Sequence, residues 1–83
     1  MTINEYLGSR FRELREKAGL SLREAGARVG MNWGTMFNYE SGRRAMPLDI
    51  VNKLANFYGV SAGQILSDTL DLMNEGRLED GSR

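Results

Sequence analysis

The chain of 83 residues contains no cysteine and no histidine. Without cysteine it has neither a disulfide nor a thiolate site for a metal ion. Without either residue it also lacks the usual nucleophile, the usual general base and the soft metal ligands of enzymes. These absences argue against most enzyme classes. We therefore predict that the protein is not an enzyme and that it needs no cofactor or metal.

Long apolar stretches are also missing. No apolar run approaches the length of a membrane span, and no charged-then-apolar signal segment opens the sequence. Apolar residues make up 41% of the chain and charged residues 27%, which is typical of a globular domain. We expect one small binding module that lies in the cytoplasm and has no membrane partner.

The charges are unevenly distributed although the net charge is zero. Residues 1–44 contain eight Lys or Arg against five Asp or Glu, whereas residues 45–83 contain three against six. This asymmetry predicts a basic working surface in the first half of the chain. Ordinary solvated helix faces would explain the charge pattern equally well if it stood alone.

Hydrophobic spacing and capping residues predict an all-α domain, because no segment alternates with the period of a β-strand. A first helix covers about residues 3–18. A second, over about residues 22–29, starts with a capping box formed by Ser21 and Glu24. Asn32 is a suitable N-cap for a third helix, which ends near Glu40.

Two further helices follow. Pro47 begins the fourth, whose predicted inward residues are Leu48, Val51, Leu54, Ala55 and Tyr58. Ser61 and Gln64 form a second capping-box pattern at the start of the fifth. The apolar residues at 70, 72 and 73 either extend the fifth helix or form a short extra C-terminal helix. We predict a domain over residues 1–74 and a polar flexible tail over residues 75–83.

The second and third helices, joined by Gly30-Met31-Asn32, have the size of a DNA-binding helix-turn-helix. Short helices joined by a glycine turn are common in α-bundles, so this geometry is by itself a weak signal. Further motifs in the same order are Gly19-Leu20-Ser21…Glu24, Tyr39-Glu40-Ser41-Gly42-Arg43-Arg44 and Met46-Pro47-Leu48…Lys53-Leu54-Ala55…Tyr58-Gly59-Val60-Ser61. With these motifs, roughly residues 6–66 resemble the XRE-type family, the five-helix helix-turn-helix domains of phage Cro and repressor proteins and many bacterial regulators.

The resemblance implies a repressor-like, sequence-specific transcriptional regulator that binds a double-stranded DNA operator. Its third helix, over about residues 32–41, would read the major groove. Family members commonly act as homodimers on paired half-sites. Leu66, Leu70 and Met73 are candidate dimer residues, although ordinary core packing explains them equally well.

The resemblance also assigns roles to four charged residues. The family's glutamate before the glycine turn pairs with an arginine late in the first helix, which here gives Arg15 and Glu40. Arg43 and Arg44 fall in the family's loop that contacts the DNA backbone. Ser21 and Arg23 are further phosphate candidates, because a helix N-terminus and a cation both attract anions.

In the third helix, Met36 and Tyr39 are expected to face inward. The candidate base-reading residues are those that lie outward or at the edge: Asn32, Trp33, Gly34, Thr35, Phe37 and Asn38. Asn38 suits adenine, and Thr35 suits a phosphate or a thymine methyl group. Glycine inside a helix lowers helix stability by roughly 1 kcal/mol relative to alanine. The presence of Gly34 therefore indicates that DNA or the Trp33 ring approaches the backbone closely at this position.

Trp33 and Phe37 depart from the family, whose members usually have polar residues at these positions. Three explanations remain open for them. They contact thymine methyls and sugars, they form a patch for a protein partner, or Trp33 fills space beside the small residue Ala25. The second explanation supports an alternative function, a protein-interaction module or an antitoxin that binds its partner through the Trp33/Phe37 face.

Overall fold

The computed structural model describes residues 1–80, and this part of the chain folds into five α-helices. The helices are α1 (Ile3–Lys17), α2 (Leu22–Val29), α3 (Trp33–Glu40), α4 (Leu48–Tyr58) and α5 (Ala62–Asn74). The predicted all-α, five-helix fold is confirmed. The apolar residues at 70, 72 and 73 lie within the continuous helix α5, so residues 1–80 contain no separate sixth helix.

Reciprocal capping fixes where α2 begins. The Ser21 Oγ atom accepts a hydrogen bond from the Glu24 backbone N–H, and the Glu24 carboxylate accepts one from the Ser21 backbone N–H. The predicted capping box is therefore confirmed. Thr2 and Glu5 form the same arrangement at α1, which was not predicted. In each box the hydrogen bonds to the glutamate lower the pKa of its carboxyl group.

The second predicted capping box, at the start of α5, is only half formed. The Ser61 Oγ atom accepts a hydrogen bond from the Gln64 backbone N–H at 3.1 Å. The Gln64 side chain instead donates to Asp68, one turn further along the helix. Asp68 also accepts a hydrogen bond from Arg10 of α1, so this side of α5 is tied to α1.

All five helices contribute to one hydrophobic core. Its buried members are Leu7, Phe11, Ala25, Val29, Met36, Val51, Leu54, Ala55 and Ile65. Each of the larger side chains contributes about 1.5–3 kcal/mol through its removal from water. The helix α1 packs against α3, α4 and α5, and α2 packs against α3 and α4.

The prediction that Leu48 faces inward was wrong, because this side chain is 66% exposed. Leu48 is the first residue of α4, immediately after the N-cap Pro47. At this end of the helix its side chain borders a surface cleft shared with Ala62 and Leu66 of α5. The next inward positions, Val51 and Leu54, are buried as predicted.

The chain after α5 returns to the N-terminus. The Ile3 backbone N–H donates to the Glu79 carbonyl oxygen at 2.8 Å, and the Glu79 N–H donates to the Met1 carbonyl oxygen at 3.1 Å. The first hydrogen bond satisfies an N–H group of the first turn of α1, which has no partner inside the helix. Glu79 lies in the predicted flexible tail, residues 75–83, and residues 81–83 of that tail lie outside the described residues.

Two absences hold for the described residues. No helix among them is both long and apolar enough to cross a membrane. No group of three or more histidine, cysteine, aspartate or glutamate residues between positions 1 and 80 is arranged to hold a metal ion.

Candidate nucleic-acid interface

The turn between α2 and α3 is tight because two glycines allow it. Gly30 ends α2 with φ +75°, a left-handed conformation that residues with a side chain rarely adopt. Gly26 lies directly against the turn, where an added Cβ would collide with the Met31 carbonyl oxygen and lie 3.3 Å from Met36 Cγ. Gly26 therefore allows α2 to lie close to both the turn and α3.

The helix α3 is held with one face inward. Met36 and Tyr39 are buried, as predicted. Gly8 of α1 lies against the end of α3, where an added Cβ would meet the carbonyl oxygens of Tyr39 and Glu40 and lie 2.7 Å from the Glu40 carbonyl carbon. Only a residue without a side chain lets α1 and α3 approach so closely.

Arg15 and Glu40, the predicted ion pair, are brought together at this crossing. Arg15 Nε lies 2.9 Å from Glu40 Oε2, and Arg15 Nη2 lies 3.0 Å from Glu40 Oε1. The two side chains are only 12% and 6% exposed, and a third donor, Arg15 Nη1, bonds the Leu20 carbonyl oxygen. Hydrogen bonding to Glu40 raises the pKa of the Arg15 guanidinium above its ordinary value. The pair fixes the end of α3 against α1 and against the loop before α2.

The opposite face of α3 carries the candidate base-reading residues. Asn32, Trp33 and Phe37 are exposed, whereas Gly34, Thr35 and Asn38 are partly exposed. Asn32 caps the helix, since its Oδ1 atom accepts the Thr35 backbone N–H at 2.8 Å. Its amide group therefore remains as a donor, and the Asn38 amide forms no hydrogen bond within residues 1–80.

The backbone beside Gly34 is open. Apart from groups of its two chain neighbours, an added Cβ would meet only Asn32 Oδ1, at an ordinary contact distance of 3.4 Å. The packing beyond those neighbours therefore does not require glycine at this position.

Three arginines surround the exposed face of α3, and each lies over an aromatic ring. The guanidinium carbon of Arg23 lies 5.4 Å from the centre of the Trp33 ring. Arg43 lies at the same distance from Phe37, and Arg44 lies 5.3 Å from Tyr39. These contacts were not predicted. They join residues between five and ten positions apart in different elements, a relationship that no helical or strand spacing reveals.

Trp33 does not belong to the core cluster. Its side chain is 47% exposed, and together with Ser21, Leu22 and Arg23 it lines a shallow groove at the start of α2. Because Trp33 is largely exposed and lies outside the core cluster that contains Ala25, the explanation that it fills space beside Ala25 finds no support in the structure.

The remaining phosphate candidate, Ser21, is exposed at the N-terminus of α2 and close in sequence to Arg23. Its hydroxyl already caps the Glu24 N–H. Ser21, Arg23, Arg43 and Arg44 are all exposed on the side of the molecule that carries α3. The exposed arginines among these residues form an extended basic surface, which the charge distribution of residues 1–44 predicts.

The dimer candidates lie on α5, which packs against α1 and α4. Leu70 is 55% exposed and Met73 38% exposed, whereas Leu66 is half-buried and packs against the core. Because the three residues are separated by four and three positions, they lie along one side of α5. The exposed Leu48 of α4 borders the same area through its cleft with Leu66.

The sequence matches a known family and several regulators. The model of a family described as "Helix-turn-helix domain" matches residues 6–66. The chain is 36% identical over 61 residues to the cryptic phage CTXphi transcriptional repressor RstR of Vibrio cholerae, covering 74% of this chain and 55% of that protein. It is also 36% identical over 70 residues to the HTH-type transcriptional regulator ImmR of Bacillus subtilis, covering 83% of this chain and 55% of that protein. The chain thus spans about half the length of these relatives.

A solved structure has the same fold. The clp gene regulator ClgR of Corynebacterium glutamicum superposes with a TM-score of 0.75 at 23% sequence identity, covering 88% of this chain and 95% of that chain. At this level of identity the similarity concerns the fold alone.

Proposed function

Because this chain belongs to the helix-turn-helix domain family, we propose that it is a sequence-specific DNA-binding transcriptional regulator that reads the major groove with α3. The observation that carries the proposal is the exposed face of α3 together with the arginines around it. Asn38 and Thr35 face outward on this helix, and Arg43 follows it in the chain. The proposal includes no catalytic step, cofactor or metal.

Phosphate contacts supply most of the affinity of such a complex, and contacts to base edges supply its sequence preference. We assign the phosphate contacts to four exposed residues: Ser21, Arg23, Arg43 and Arg44. The amide of Asn38 is the best candidate for a bidentate hydrogen bond to adenine. Thr35 and the amide of Asn32 are placed for further contacts, and Gly34 allows the DNA to approach the backbone of α3.

We propose further that the protein acts as a homodimer. A single domain of this size reads only a few base pairs, and two copies on half-sites one helical turn apart extend the site. The side of α5 formed by Leu66, Leu70 and Met73 is the proposed interface, because two of its three side chains are exposed apolar groups away from α3.

The regulators to which the chain is similar support a role in transcription, and RstR is described as a repressor. They favour a DNA-binding regulator over a protein-interaction module or an antitoxin. The proposal implies a cytoplasmic protein if the host is prokaryotic, since the DNA of such cells lies there.

The dependence of DNA affinity on salt concentration tests the proposed phosphate contacts. The double variant Arg43→Ala/Arg44→Ala is expected to lose about two units from the slope of log K against log[salt] on any duplex. The variant Lys53→Ala/Arg77→Ala removes the same charge from exposed positions elsewhere and is expected to keep the wild-type slope. Equal slopes for the wild type and the Arg43/Arg44 variant would contradict the assignment.

A further inference from the structure

The three aromatic side chains of α3 share one property, which is that an arginine covers each of them. Trp33 lies at the start of the helix beneath Arg23, and Phe37 and Tyr39 lie near its end beneath Arg43 and Arg44. A cation over an aromatic ring is attracted by the negative face of the π-system. The contact is thus repeated at both ends of the same exposed helix.

The rings are the main partners of these arginines. Within residues 1–80, none of the guanidinium groups of Arg23, Arg43 and Arg44 donates a hydrogen bond or forms an ion pair. Arg15, by contrast, is largely buried, and its guanidinium group is paired with Glu40. Because a guanidinium group presents five N–H donors in a planar fork, a ring contact leaves those donors free for a phosphate.

This arrangement explains why two large apolar side chains are exposed. Phe37 is 39% exposed and Trp33 47% exposed, and each covering arginine is itself exposed. Exposed rings at these two positions can lie beneath guanidinium groups that remain in solvent. In addition, the ring face beneath each cation is no longer free for flat contact with a base or with a protein partner.

We propose that Trp33 and Phe37 are positioning residues that hold Arg23 and Arg43 at the two ends of α3 for contact with DNA phosphates. The role rests on the proposed DNA-binding function. A long arginine side chain loses conformational freedom when it binds a phosphate, and a ring that restricts it beforehand reduces this loss. Exposed contacts of this kind change an equilibrium by about two- to fivefold.

The contacts are tested first without DNA, by nuclear magnetic resonance of the arginine side chains. Protons near an aromatic face are shifted upfield by the ring current, so the Arg23 side-chain protons are expected to be shifted in the wild type and to return to ordinary values in Trp33→Leu. Arg77, which is exposed and pairs with Glu75, is the control. Arg23 signals equal to those of Arg77 and unchanged in Trp33→Leu would overturn the proposal.

The second test is a double-mutant cycle on DNA affinity. Trp33→Leu alone is expected to weaken binding about two- to fivefold, and in the background of Arg23→Gln it is expected to have almost no further effect. The pair Phe37→Leu and Arg43→Gln should behave in the same way. Trp33→Phe, which retains a ring, is expected to keep most of the affinity, and thermal unfolding of every variant shows that each is folded.

The outcomes separate the positioning role from the function on which it rests. If the aromatic and arginine substitutions weaken binding additively, Trp33 and Phe37 contact the DNA or act independently, and the positioning role alone is overturned. If the wild type binds no duplex at any salt concentration, the proposed function and the positioning role both fail. The ring-current shifts then still decide whether the contacts themselves exist.

Discussion

The guanidinium group of Arg15 and the carboxylate of Glu40 meet in a two-pronged hydrogen bond, with Nε 2.9 Å from Oε2 and Nη2 3.0 Å from Oε1. This contact joins the last turn of α1 to the last residue of α3. Both charges are almost removed from solvent, so each depends on the other. The ion pair therefore helps to fix the orientation of α3, the proposed DNA-reading helix, together with the buried Met36 and Tyr39.

Removal of one member of this pair is expected to destabilise the fold. Arg15→Ala leaves the Glu40 carboxylate buried without its cation and should lower the free energy of unfolding by about 3 kcal/mol. Arg15→Met/Glu40→Met replaces both charges by apolar groups and should recover most of that loss. Urea denaturation of the wild type, both single variants and the double variant measures the coupling.

The exposed pair Arg12–Glu16 provides the control for this cycle, because its side chains are 62% and 56% exposed. Its coupling should be only about 0.3–0.5 kcal/mol. A coupling between Arg15 and Glu40 no larger than that of the exposed pair would show that the buried contact does not hold α3.

Gly34 and Gly63 offer a matched comparison of stability with function. Each is the second residue of its helix, and an added Cβ at each would meet only the capping side chain, at 3.4 Å for Gly34 and 3.5 Å for Gly63, apart from its chain neighbours. Gly34→Ala and Gly63→Ala should each stabilise the fold by up to about 1 kcal/mol. Only Gly34→Ala is expected to weaken DNA binding, because in the proposed complex α3 approaches the DNA and α5 does not. Unchanged affinity in Gly34→Ala would argue against close backbone approach.

The contact between Arg10 and Asp68 should make stability depend on pH in the acid range. Hydrogen bonds from Arg10 and then from Gln64 lower the pKa of Asp68 below its ordinary value of 3.8. A lowered pKa in the folded state means that the stabilisation is fully present above that ordinary value and is lost as the pH falls through the lowered pKa. Asp68→Asn should therefore reduce the loss of stability between about pH 5 and pH 2.

Arg10→Gln is the partner experiment, since it removes the cation and keeps Asp68. It should reduce the acid dependence in the same direction as Asp68→Asn. Thermal unfolding at a series of pH values measures both variants. An acid dependence as steep as that of the wild type in both would show that the contact does not contribute.

The proposed dimer is tested by placing a charge on the exposed side of α5. Leu70→Asp introduces a carboxylate where two apolar surfaces would meet, and burying an unpaired charge is strongly unfavourable. Sedimentation should show the wild type as a dimer at concentrations where Leu70→Asp is a monomer. Asn56→Asp adds the same charge to an exposed position of α4 and should remain dimeric. A wild type that is monomeric at all concentrations would contradict the proposed dimer.

The sequence predicted the elements of this fold well because four of the five helices begin with a cap between residues three positions apart, and α4 begins directly after Pro47. Ser21 with Glu24 and the Asn32 cap are examples of such local signals. The resemblance to the family also predicted that Glu40 pairs with Arg15, a contact that local spacing does not reveal.

Contacts between residues that are far apart in the chain could not be predicted from the sequence. Nothing local to Gly8 shows that the end of α3 lies against it, and the bond between Arg10 and Asp68 spans 58 positions. Helical periodicity predicts that Leu48 faces inward. Leu48 is nevertheless exposed, because it is the first residue of α4 and borders a surface cleft with α5. For the same reason the arginines over the aromatic rings of α3 appear only in three dimensions.

Selection of bound sequences from a random pool of double-stranded DNA shows whether the protein reads a defined sequence. The wild type is expected to enrich a sequence of two half-sites about one helical turn apart. Asn38→Ala should lose preference at one position of each half-site, whereas the exposed Asn56→Ala on α4 should select the wild-type sequence. A folded wild type that leaves the pool unselected would contradict the claim that α3 reads DNA.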